Sequence, residues 1–180
     1  MKKANAILSI ISLALLSVHA LYELSAYVLF YYNPLISGLT GWLAGGAITI
    51  HAVLSAISMF KLNDSKTVMY KKLNLGTVIQ RVSAVIMVVL FPFHINTYDF
   101  LKINSHGAAF WFAETVYIVF YSALFSHIAV SFSKALISLG KLEDDRKRRS
   151  INKVVSIICA AAALITIIIT IRTHIKMFGL

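Results

Sequence analysis

The stretch Gln80-Arg81-Val82-Ser83-Ala84-Val85-Ile86-Met87-Val88-Val89-Leu90-Phe91-Pro92-Phe93-His94 decides how the chain is read. It opens with an amide, a cation and a hydroxyl. It then runs apolar for most of a membrane's thickness and closes on a histidine. An imidazole within hydrocarbon is costly enough to be treated as functional, with a partner to be found. Three other long apolar segments each carry one histidine, so the question is whether these four rings form a site.

Composition sets the surroundings. The 180 residues are 59% hydrophobic, with a mean hydropathy of +0.81. A soluble domain of this length cannot hide that much apolar surface, whereas an integral membrane protein exposes it to lipid. The net charge of +10 could suit nucleic acid. The cations, however, fall at segment ends and in short loops, which is the pattern of membrane topology and argues against a nucleic-acid partner. The one cysteine, Cys159, lies in an apolar run and reads as a small hydrophobe. With no C-x-x-C-H motif, covalent haem attachment is excluded. Met1-Lys2-Lys3 before an apolar run imitates a signal peptide. No small-x-small cleavage site ends the run, so it reads as a retained first helix.

The pattern predicts an all-α integral membrane protein, one transmembrane domain over residues 1–180. Its five transmembrane helices are expected at approximately 4–32, 42–60, 75–95, 108–137 and 151–171, each long enough for a hydrocarbon core of roughly 30 Å. Asn33-Pro34 signals a turn, and the glycine-rich residues 37–41 read as a connection. Residues 61–74, 96–107 and 140–150 read as loops. Lys2, Lys3, Lys61, Lys66, Lys71, Lys72, Lys141 and Arg146 to Arg149 all fall on one side, which the positive-inside rule makes cytoplasmic. The N-terminus is therefore expected in the cytoplasm, with the chain multi-pass in the cell membrane. Tyr31, Tyr32, Trp42, Tyr98 and Trp111 then gather at the outer interface, where amphipathic rings are favoured.

Depth sorts the histidines. His19 and His94 sit in the outer halves of outward-running helices, while His51 and His127 lie deeper toward the inside on inward-running ones. The expected pairs are His19 with His94 and His51 with His127. Two imidazoles facing across an apolar four-helix bundle, with the fifth helix outside it, are how such a bundle ligates haem from both sides. Ala44, Ala47, Ser55 and Ser58 around His51, Ala123 and Ser131 around His127, Ser12 near His19, and Ser83 and Met87 below His94 leave room for a flat macrocycle. The same small residues also suit close helix packing. A single zinc site would need its ligands at one depth. Proton relay is the rival, because Glu23 lies one turn from His19 on its face.

The remaining polar residues sort by depth as well. Gln80, Arg81 and Ser83 lie near the cytoplasmic end of the third helix, and Lys134 lies two turns beyond His127. They are candidates for haem propionate or quinone contacts, Arg81 and Lys134 first, although both cations could instead snorkel to headgroups. Glu23 and Glu114 lie on the outer side as candidate proton acceptors from a quinol. His106 and His174 read as surface residues at the membrane edge.

The Gln80-Arg81-x-Ser83-Ala84 opening followed by His94, and Ser126-His127-Ile128 followed by Leu139-Gly140 and a basic loop, resemble a known family. It is the cytochrome b membrane anchor of succinate dehydrogenase and fumarate reductase, the succinate:quinone oxidoreductases, in its five-helix dihaem type. The resemblance covers essentially the whole chain. Ala84 stands where the family usually has glycine, and the chain is short for the type. The resemblance implies two haem b, His19 and His94 on the outer iron and His51 and His127 on the inner. It implies electron transport in a respiratory chain between cytoplasmic flavoprotein and iron–sulfur subunits and a membrane quinone, with menaquinone suggested by the dihaem type. The chain would be the membrane subunit of the enzyme and would hold no dicarboxylate site. The alternatives are a dihaem cytochrome b of another membrane dehydrogenase, or a haem-free transporter or anchor using His and Glu for proton transfer or packing.

Overall fold

The computed structural model describes residues 2–61, 71–104 and 106–178. Five helices account for nearly all of them: α1 (Lys2–Leu29), α2 (Pro34–Lys61), α3 (Lys71–Ile103), α4 (Gly107–Ser138) and α5 (Asp145–Phe178). All five are long and apolar enough to cross a membrane, and no strand occurs among the described residues. The protein is an all-α, multi-pass membrane protein. Backbone chemistry compels this, because in lipid only a helix satisfies its own N–H and C=O groups within one segment.

The helices differ in extent from the expected ones. α1 ends three residues early, at Leu29. Phe30 follows with a positive φ of 52°, and Tyr31 N donates to the Ala26 carbonyl at 3.2 Å, which stops the helix. α2 begins at Pro34, so residues 37–41 are helical and not a connection. Asn33 is its N-cap: Oδ1 accepts from Leu35 N at 3.0 Å and from Ile36 N at 3.3 Å, and Pro34 occupies the first helical position, where no N–H is needed. The Tyr22 hydroxyl fixes this turn, donating to Asn33 O at 3.0 Å and accepting from Asn33 N at 2.7 Å. α3 continues through Pro92 to Ile103, so His94 is interior to the helix and does not close it. α5 starts at Asp145, and Asp144 Oδ1 caps it through Arg146 N at 2.7 Å. The expected loop of residues 140–150 is thus half helix. Most of the expected loop 61–74 lies outside the described residues.

α4 ends in a Schellman turn. Gly140 has φ 70°, Gly140 N donates to Ile137 O at 2.9 Å and Lys141 N to Leu136 O at 3.0 Å. α5 is polar inside and apolar outside. Thr166, Thr170, Thr173 and His174 are buried while Ile157, Ile158, Ile165 and Ile168 are exposed, as suits a span with lipid for solvent.

The chain divides into two compact units. One holds α1, α2 and residues 132–151; the other holds α3, residues 107–131 of α4 and residues 152–178 of α5. In the first, α1 and α2 pack antiparallel in a fixed register. Asn5 Nδ2 donates to Ser55 Oγ at 3.1 Å, His19 Nδ1 meets Thr40 Oγ1 at 3.2 Å, and Ser37 Oγ donates to Glu23 Oε1 at 2.5 Å. In each pair the two residue numbers add to about 60, so one seam runs the length of the helices. In the second unit Leu101, Phe110 and Ala113 form an apolar core, with Ile175 and Phe178 packed on it.

Candidate functional site

The α1·α2 seam holds His19 in a defined state. The Thr40 hydroxyl has one hydrogen, and its nearest acceptor is the Ile36 carbonyl of its own helix at 2.9 Å, ahead of Ser37 O at 3.2 Å. Thr40 Oγ1 therefore accepts from His19, and Nδ1 is the protonated nitrogen. That leaves Nε2 as the nitrogen with the lone pair. The ring lies against Gly41, where an added Cβ would come within 3.3 Å of Cε1. The gap left by that glycine is thus filled by the imidazole itself. Glu23 Oε1 lies 3.9 Å from His19 Nδ1, so Glu23, His19, Ser37 and Thr40 form one polar group.

His51 lies on the same helix as Gly41, and the step between them is roughly 15 Å along the axis. The two histidines of this unit therefore occupy separate levels. His51 Nδ1 is buried and has no hydrogen-bond partner among the described residues; neither do the buried hydroxyls of Ser12 and Ser58. Ser55, expected to leave space beside His51, is engaged with Asn5.

In the second unit, His127 Nδ1 meets the Gln80 carbonyl at 3.0 Å and Ser83 Oγ at 3.2 Å. A carbonyl only accepts, so Nδ1 carries the hydrogen here too, and Nε2 holds the lone pair. Gln80 and Ser83 therefore act on His127 rather than standing apart from it. Ser83, three turns before His94 on α3, thus lies at the level of His127. Arg81, between them in sequence, is exposed, and Lys134 is half-buried.

His94 is clasped by aromatic rings of α4. It stacks on Phe120 (centroids 4.6 Å apart, planes at 12°) and meets Tyr117 and Tyr121 edge-on at 5.7 and 6.0 Å. The step from Phe120 to His127 is roughly 10 Å along α4, so this unit also holds its two histidines at separate levels. Each of His19, His94, His51 and His127 lies roughly 15 Å from the C-terminal end of its helix.

The expectation for His174 fails. It is not a surface residue but wholly buried, at 0% exposure. Its Nδ1 lies 2.6 Å from Oε1 of Glu114, itself 1% exposed. The flanking cations Arg172 and Lys176 are exposed. A helical half-turn nevertheless puts His174 on the inner face with Thr170 and Thr173. The signal that could have found it was the i, i+4, i+7 spacing of Thr166, Thr170 and Thr173. His106 is exposed, as expected.

Among the described residues no three His, Cys, Asp or Glu side chains converge as a metal site. No protein-family model, curated protein or solved structure matches this chain.

Proposed function

We propose that the chain is a dihaem cytochrome b membrane anchor. In this reading it carries electrons between cytoplasmic flavoprotein and iron–sulfur subunits of a succinate dehydrogenase or fumarate reductase and a membrane quinone, menaquinone by the resemblance. The observation that carries the reading is the state of the histidines. Each unit holds two at separate levels, and the two whose tautomer the geometry fixes, His19 and His127, both keep Nε2 as the lone-pair nitrogen.

Nδ1 donating to a protein oxygen is the arrangement that orients a metal-ligating histidine and raises its basicity. Thr40 would serve His19 in this way, and the Gln80 carbonyl and Ser83 would serve His127. His51 Nδ1 is buried without a partner among the described residues, while its ring is hydrogen-bonded to the Asn5 backbone of α1. Phe120, Tyr117 and Tyr121 hold the His94 plane. These donors fit iron of a haem, with His19 and His94 assigned to the outer one and His51 and His127 to the inner. A bound haem supplies one-electron chemistry, at a potential tuned by axial ligand and burial. Arg81 and Lys134 would meet propionates on the inner side. Glu23 is the candidate proton acceptor on the outer side; its short contact with Ser37 and its closeness to His19 keep it in the same polar group.

The test is the visible spectrum and haem-to-protein ratio of the purified chain. Two haems per protein are expected, and His127→Ala should remove about one of them. A colourless protein, or both haems retained in the variant, sinks the assignment. Co-purifying flavoprotein and iron–sulfur subunits would separate this enzyme from another dihaem cytochrome. The second reading, a haem-free protein using His and Glu for proton transfer, is favoured by the buried contact between Glu114 and His174. A missing Soret band would select it.

A further inference from the structure

The contact between Glu114 and His174 is the most deeply buried polar feature of the described chain, and the haem reading leaves His174 unused. We propose that these two side chains form one proton-exchange site, binding a single proton shared along their 2.6 Å contact. The inference is independent of whether the chain carries haem.

Four observations lead there. First, both groups are cut off from solvent, at 0% and 1% exposure. A lone carboxylate so placed is disfavoured, and a carboxyl–imidazole couple becomes electrically neutral only by holding one proton between its members. Second, Glu114 Oε2 is buried with no partner among the described residues. A pair kept only for packing would be expected to satisfy both oxygens, because an unmet buried acceptor costs stability. Third, the couple lies close to two helix ends. Glu114 is roughly 10 Å from the start of α4, and His174 roughly 6 Å from the end of α5. Fourth, the face of α5 that carries His174 is a column of buried hydroxyls, Thr166, Thr170 and Thr173.

Titratable and charged groups of the described residues near the couple lie on all three helices of this unit. On α4, Tyr117 lies against the His174 ring, with centroids 5.4 Å apart, and its own stacked neighbour is Tyr121. On α3, His94 meets Tyr117, and Tyr98 meets Phe178, the two rings that pack on His174. Asp99 and Lys102 at the end of α3 are exposed and paired with each other. On α5 the flanking Arg172 and Lys176 are exposed. Glu114 is the one fully buried carboxyl group among the described residues, so a carboxyl signal from an apolar site is assignable to it.

The test is infrared difference spectroscopy of the full chain in lipid vesicles, between about pH 5 and about pH 9, in water and in deuterium oxide. The wild type is expected to show an exchangeable carboxyl band and an imidazole band that change together. Glu114→Gln should abolish the carboxyl band. His174→Gln should keep it but move its frequency, because the group hydrogen-bonded to the carboxyl has changed. Superimposable difference spectra for wild type and Glu114→Gln overturn the proposal. So does an unshifted carboxyl band in His174→Gln, which would make the contact a packing pair. Should the variants not fold, wild type labelled with carboxyl-13C glutamate is decisive: no isotope-sensitive carboxyl band in the apolar range overturns the proposal equally.

Discussion

Replacing Gly41 tests the α1·α2 seam and the state of His19 together. A Cβ at Gly41 would stand 3.3 Å from His19 Cε1 and 3.6 Å from Nδ1. Carbon atoms prefer separations of about 3.5–4.0 Å, so alanine requires the ring to retreat by roughly 0.2–0.7 Å. The hydrogen bond from His19 to Thr40 is already 3.2 Å long and has little slack. Losing a hydrogen bond between membrane helices costs about 0.6 kcal/mol on average, and up to about 1.7. Against that, alanine gains up to about 1 kcal/mol over glycine within a helix. Gly41→Ala should therefore leave the unfolding temperature nearly unchanged while shifting the His19 ring resonances. Gly41→Leu cannot be absorbed in this way. Overpacking of a close seam costs about 1–3 kcal/mol, which for a chain of this size lowers the midpoint by roughly 3–9 °C. Thermal unfolding in lipid nanodiscs followed by circular dichroism reads the first quantity; 15N spectra of labelled histidine side chains read the second. If Gly41→Leu melts like the wild type with the His19 signal unmoved, the register is wrong, and so is the tautomer deduced from it.

Two helix ends should respond in opposite directions. Phe30 adopts φ 52° with a large side chain, so Phe30→Gly should raise stability by about 1 kcal/mol, whereas Gly140→Ala, at φ 70°, should lower it by about as much; both are read from unfolding midpoints. A double-mutant cycle on Asn5→Ala and Ser55→Ala should give a coupling of about 0.6 kcal/mol. Additive single effects would mean that the contact in the structure contributes nothing.

The five spans and their all-α character were legible from composition because each is decided locally. Lipid offers the backbone no partner, so a long apolar segment must become a helix whatever it packs against. The helix ends were less legible. Residues 37–41 are rich in glycine and read as a connection, yet Asn33 caps a helix that runs straight through them. Pro92 and the polar residues after it looked like an ending, yet α3 continues to Ile103. Residues 145–150, five of them charged, read as loop, yet Asp144 caps a helix that starts there. In each case a cap or helical continuity overrode composition.

The sequence by itself determined that the chain spans a membrane and that four of its apolar segments each carry one histidine partway along a helix. That position follows from counting residues along a helix of fixed rise. Only the tertiary structure decided which polar atoms meet: Ser83 with His127 and Glu114 with His174 are 44 and 60 residues apart in sequence. A helix's rotation about its own axis is set by packing against its neighbours, and an error of half a turn moves a side chain from lipid to interior. That rotation turned His174 from an expected surface residue into the buried partner of Glu114, and turned Gln80 and Ser83 into the groups that fix the proton on His127.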